Sequence, residues 1–172
     1  SIIFILALII ACSTVQGQKV KVVLSNESIG GGRHIAFVTT IYQVTEAEIR
    51  KEWKAWLKQY RPEKISGKGE IFADNVNISS ISENTVDIYA KTNQIKENVT
   101  TFIVSFDLGG IFLDVDHLNY KSAERIVYDF AVKTTTLGIK NEIKEAEKVL
   151  LKEEKAFEKI VKENDRLHSE ID

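Results

Sequence analysis

From Ile139 to Ile171 apolar residues recur at alternating steps of four and three: Ile139, Ile143, Ala146, Leu150, then Phe157, Ile160, Leu167 and Ile171. A helix of 3.6 residues per turn gathers such positions into one slowly drifting stripe, the seam against which a coiled-coil partner packs. Two positions in the series are polar, Glu153 and Asn164. Asn in a seam costs stability and fixes register or strand number. Between the stripe residues the chain is mostly Lys and Glu, so the other faces are built for water. The pattern predicts a coiled-coil arm over 139–172, with its contacts carried by Ile143, Leu150, Phe157, Ile160, Asn164 and Leu167. The partner is a second copy, a downstream helix of the same chain folding back, or another protein. The competing reading is a single amphipathic helix lying on its own domain.

Upstream of the arm the period shortens to two. Val20, Val22 and Leu24 alternate with Lys19 and Lys21, predicting a short strand. A polar, glycine-rich loop over 25–33 follows, and Ile35, Phe37, Thr39 and Ile41 then predict a second strand hairpinned to the first. Thr45-Glu46-Ala47-Glu48 is a capping box. It opens a helix with Ile49, Trp53, Trp56, Leu57 and Tyr60 on one face, which Pro62 stops. The spacing places both tryptophans against a sheet rather than on a ligand platform.

Beyond Pro62 come short segments separated by turns. Glu70-Ile71-Phe72 leads through Asp74-Asn75 into Val76 and Ile78. Val86, Ile88 and Ala90 form a strand, and a polar turn over 93–98 leads into the most strongly patterned one. There Phe102, Val104, Phe106 and Leu108 share a face, while Thr101, Ser105 and Asp107 face water. Gly109-Gly110 allows a bend, and a helix begins near Tyr120 with Ala123, Val127, Phe130 and Ala131 toward the core. It runs on into the heptads, with Gly138 as a candidate kink where sheet packing gives way to the arm. The fold class is therefore α+β: a two-layer sandwich of an antiparallel sheet packed with helices, plus a long C-terminal coiled-coil helix. The division is 1–17, 18–138 and 139–172.

The first of these divisions is an export signal. Ile2 to Ala11 is an unbroken apolar run, shorter than the ~20 residues that span a bilayer, and small and polar residues follow it. The chain opens at Ser1 already inside that run, so a basic segment is expected before it. The arm likewise stops in mid-heptad and is expected to continue past Asp172. Val15 and Gly17 place small residues three and one before Gln18, as signal peptidase requires. The alternative is a lipobox, Ile9-Ile10-Ala11-Cys12, with Cys12 lipidated and the protein held at a membrane. Cys12 is the only cysteine, so cleavage before Gln18 leaves no thiol for disulfides, metal sites or nucleophilic chemistry.

Composition narrows the function classes. Of the 172 residues 44% are hydrophobic and 28% charged, the balance of a globular chain. The net charge of −2 and the lack of a basic run interleaved with aromatics argue against a nucleic-acid partner. The Gly30-Gly31-Gly32 run precedes a strand, whereas a phosphate loop opens a helix. Asp114, Asp116 and His117 form the one dense acidic spot; the metal-ligand reading competes there with turn and cap roles, which the spacing favours. No nucleophile elbow, zinc-protease helix or dinucleotide fingerprint is present, so no catalytic residue, metal ligand or cofactor is assigned.

Some stretches carry a resemblance: Ser28-Ile29-Gly30-Gly31-Gly32, Lys51-Glu52-Trp53, Gly69-Glu70-Ile71-Phe72-Ala73-Asp74-Asn75, Phe106-Asp107-Leu108-Gly109-Gly110 and the Lys/Glu-rich tail. With the signal ending near Gln18, they resemble small exported proteins of Bacteroidota-type bacteria, a group without an assigned activity. The resemblance implies the periplasm or cell envelope and supplies no catalytic residues. The expected function is binding or assembly at the envelope through the coiled-coil arm, without enzymatic activity. The alternative is a small ligand-binding module or hydrolase using the open face of the sheet.

Overall fold

The computed structural model describes residues 19–170; the expected export signal with Cys12, the expected cleavage site at Gln18, and Ile171 of the seam lie outside them. Six strands form one antiparallel sheet in the order β1-β2-β6-β5-β4-β3. They are β1 (Val23–Ile29), β2 (Gly32–Tyr42), β3 (Lys64–Ser66), β4 (Ile71–Val76), β5 (Val86–Lys96) and β6 (Val99–Asp107). Helix α1 (Glu46–Leu57) follows β2, and α2 (Tyr120–Ser169) follows the sheet. The chain is thus a β1–β2 hairpin, a helix, a β3–β6 meander whose last strand returns beside β2, and a final helix. The α+β class and the antiparallel sheet agree with the sequence reading.

The core lies between one face of the sheet and the two helices. Phe37 and Ile41, Ile71 and Ala73, Ile88 and Ala90, and Phe102, Val104 and Phe106 are all fully buried on that face. Against them stand Ile49, Trp53 and Leu57 of α1 and Ala123, Val127, Phe130 and Ala131 of α2. The Trp53 ring meets Phe102 at 5.1 Å and Phe130 at 4.8 Å between centroids, edge to face in both cases, so one side chain ties α1, β6 and α2 together. Helix α1 starts as the capping box predicts. The Thr45 hydroxyl accepts from the Glu48 amide at 3.3 Å and the Glu48 carboxylate accepts from the Thr45 amide at 3.0 Å. Hydrogen bonds from the Thr45 hydroxyl and amide hold the Glu48 carboxyl below its ordinary pKa.

The strands depart from the sequence reading in four places. The first strand begins later than expected and takes in most of the predicted loop: Ser25, Asn26 and Glu27 pair in register with Ala36, Ile35 and His34. Only Gly30 and Gly31 turn, with φ of 63° and 76°, the pair of left-handed conformations that closes a two-residue hairpin along the twist of its strands. Polar residues suit β1 because it is an edge strand. Similarly, β5 continues through the predicted turn as far as Lys96, and only Glu97-Asn98 reverses the chain, with Asn98 at φ 54°. Asp74-Asn75 does not divide two strands. It is a bulge inside β4, where the register slips between Ala73 and Val76 and Asn75 sits at φ 50°. Last, β3 carries too short a pattern to be read from sequence.

The face expected to be wet is covered over part of its area. Ile29, Ala36 and Ile103 form a second buried cluster there, and Ser105 is buried with them. The cover comes from the twisted β1–β2 hairpin. Its turn reaches across to β4 and β5, where the Gly30 amide donates to both carboxylate oxygens of Glu70 at 3.1 and 3.2 Å. The Lys91 ammonium donates to the Ser28 carbonyl from the other side.

Candidate functional site

Helix α2 is a single element of 50 residues, but its two halves live in different surroundings. Over the first half, Ala123, Ile126, Val127, Phe130, Ala131, Thr134, Thr135 and Gly138 are buried. From Ile139 to Glu170 every residue is exposed. Rising 1.5 Å per residue, this second half projects about 45 Å beyond its last anchor.

That anchor is Gly138, where the helix meets the β2–α1 loop. A Cβ built there would overlap the Gln43 carbonyl oxygen and the Val44 side chain. The bare glycine lets the helix backbone lie directly on the β2–α1 loop. The same joint is held by the Tyr42 amide, which donates to the Thr135 hydroxyl at 3.3 Å, and the Gln43 amide, which donates to the Asn98 carbonyl at 2.7 Å. Below the joint a groove of about 450 Å³ separates α1 from the arm, with Glu48, Lys51, Glu52, Glu142 and Glu145 in its lining.

All six residues assigned to partner contact lie on the exposed half, among them Phe157 and Ile160, each 67% exposed, and Leu167, 47% exposed. No described part of the domain covers them, so the helix does not lie back on its own sheet. The seam also points away from the sheet. At 3.6 residues per turn, Ile139, Ile143, Ala146 and Leu150 centre roughly 120° round the helix from the packed stripe Val127, Ala131, Thr134 and Gly138. A second helix can therefore run along the seam without meeting the domain. The arm's own polar contacts are short-range: Lys148 with Glu145 at 2.6 Å, and Arg166 with Glu163 at 2.6 Å and with Glu170 at 3.0 Å. Exposed pairs of this kind support a helix by only ~0.3–0.5 kcal/mol each.

The Asp114 to His117 stretch is a turn into α2. The Asp114 carboxylate accepts from the Asp116 amide at 3.0 Å, and His117 Nδ1 accepts from the Asn119 amide at 3.1 Å. Asn119 does not cap the helix with its side chain, which donates to the Ile81 carbonyl at 2.8 Å. Among the described residues no three His, Cys, Asp or Glu side chains are grouped to hold a metal ion, and no helix is long and apolar enough to cross a membrane.

Sequence reasoning missed a ladder of rings over the sheet's second face. His34 stacks on Phe112 with centroids 3.6 Å apart and planes 11° from parallel, and Tyr89 lies 4.9 Å from Phe72 and 6.1 Å from Phe112. Phe112 gets there because the Asp107 carboxylate accepts from the amides of Gly109 and Gly110, folding the chain back so that Phe112 pairs with Asp107. Burial, followed by the charges of Asp87, Asp107, Glu70 and Asp74, raises the Tyr89 phenol above its ordinary pKa. The Asp-x-Gly-Gly turn was the available signal, but it does not say where Phe112 lands. Compared with known proteins, the chain matches no protein-family model, no curated protein and no solved structure.

Proposed function

We propose that this is an exported envelope protein that acts by binding or assembly, the α+β domain serving as a base and the arm as a coiled-coil contact. One observation carries the reading: a formed helix leaves its heptad apolar residues in water along its whole projecting length. Burying a large apolar side chain is worth about 1.5–3 kcal/mol, so Ile143, Leu150, Phe157, Ile160 and Leu167 together hold on the order of 10 kcal/mol of gross burial energy for a partner. Among the described residues the domain has no surface near enough to collect it. Asn164 sets the register, since an amide placed between seam residues is satisfied in only some alignments.

The test is a pull-down of envelope proteins with the full chain and with a version ending at Thr136, alongside sedimentation of both. Capture or association that vanishes on truncation is the expected result. If both proteins stay monomeric and capture the same set, the arm is not the contact. Replacing Asn164 with Leu is expected to tighten association while yielding higher or mixed oligomers in sedimentation, because the seam loses its one register mark.

Export is supported by the apolar run Ile2 to Ala11, the small residues before Gln18 and the resemblance to exported envelope proteins. Mass spectrometry of the exported protein is expected to show Gln18 at the N-terminus. A diacylglyceryl mass on Cys12 would instead place the protein on a membrane.

A further inference from the structure

Charge on the arm is sorted by face. The two positions flanking the seam on either side carry Glu142, Glu147, Glu154, Glu163 and Glu170, against Lys140 as their one lysine. Glu153 adds a carboxylate within the seam. The face turned away from the seam is mostly basic, with Lys144, Lys148, Lys152, Lys155, Lys159, Lys162 and Arg166 against Glu145, Glu158 and Asp165. Glu142, Glu147 and Glu154 make no ion pair among the described residues. Glu142 also lines the groove between the arm and α1, where the domain adds Glu48 and Glu52 against Lys51.

Flanking charges select coiled-coil partners. A second copy in parallel register would set Glu142 against Glu147 and bring the two Glu153 side chains together in the seam. A fully overlapped antiparallel copy would set Glu154 against its own equivalent and Glu142 against Glu170. Neither alignment places a lysine or arginine against these carboxylates. An anionic membrane is a poor fit as well, since the residues flanking the apolar seam, which would lie at headgroup level, are mostly Glu. Resting on the pairing function proposed above, we propose that the arm's occupant is a different protein: a helix with an apolar heptad seam flanked by Lys or Arg.

The experiment uses the chain from Gln18 onward and two synthetic helices. Both carry Ile and Leu at the seam and one Asn to face Asn164; one has Lys at every flanking position, the other Glu. Like charges keep each peptide from pairing with itself. At low salt the Lys-flanked peptide is expected to bind at least about tenfold more tightly than the Glu-flanked one, with the preference shrinking as salt screens the flanks. Alone, the chain stays monomeric at the same concentration. Combining Glu142→Lys, Glu147→Lys and Glu154→Lys, all exposed and remote from the core, should reverse the preference. Equal binding of the two peptides overturns the charge selection and leaves the pairing arm standing, as does self-association tighter than binding of the Lys-flanked peptide. If neither peptide binds and the chain remains monomeric, the pairing function falls with it.

Discussion

Replacing Trp53 with Ala is expected to cost about 3–5 kcal/mol, the usual loss for a large aromatic removed from a packed core. Trp53 is fully buried, and its ring edges contact both Phe102 and Phe130, whose own centroids lie 5.0 Å apart. Aromatic pairs of this geometry add ~0.5–1.5 kcal/mol beyond the area they bury. One deletion therefore loosens three elements at once, including the part of α2 that anchors the arm. Against a typical total of 5–15 kcal/mol, a loss of that size leaves the domain only marginally folded. The Trp53 indole nitrogen, however, is buried without a hydrogen-bond partner among the described residues. Trp53→Phe gives up ring volume but also removes that unpaired donor, so it should cost well under half as much. Urea titrations followed by circular dichroism read both changes. A loss below about 1 kcal/mol for Trp53→Ala would mean that α1 is not packed as described.

Gly138→Ala is expected to destabilise the protein by about 1–3 kcal/mol, although the same change on an exposed helix face stabilises by up to ~1 kcal/mol. The sign turns on one contact. The added methyl falls on the Gln43 carbonyl, and a backbone atom in a short loop cannot swing aside as a flexible side chain would. Relief requires lifting α2 from the β2–α1 loop, which also releases the Thr135 hydroxyl from the Tyr42 amide. Asn141→Ala, three residues on at an exposed position, is the control and should be neutral or slightly stabilising. Thermal melts of the two variants separate the effects. A stabilised Gly138→Ala protein would show that the arm's base is not held against the loop.

Periodicity is legible where one physical requirement dominates a stretch. Glu48 three residues after Thr45 satisfies the free amides of a helix start, so α1 could be placed before its surroundings were known. Phe102, Val104 and Phe106 alternate because β6 is central and one of its faces must meet the helices. The misplaced boundaries share a cause. Ser25, Asn26 and Glu27, like Gln94 and Lys96, are polar residues in strands, tolerated because their side chains reach water while their backbones pair. Backbone pairing is set by the neighbouring strand, which a local pattern does not contain.

The sequence by itself determined the α+β class, most of the core-facing residues of both helices, the capped start of α1 and a long helix with an apolar stripe at heptad spacing. Each of these follows from local chemistry: alternation, capping and the match between helical period and burial. Only the tertiary structure decided that the stripe beyond Gly138 is left bare, that Gly138 is a close contact with the β2–α1 loop, and that the β1–β2 hairpin covers part of the sheet's second face. Those outcomes depend on where the Gln43 carbonyl, the Glu70 carboxylate and the Phe112 ring arrive from distant parts of the chain. Whether an apolar face is core or contact is a property of what else the fold brings within reach of it.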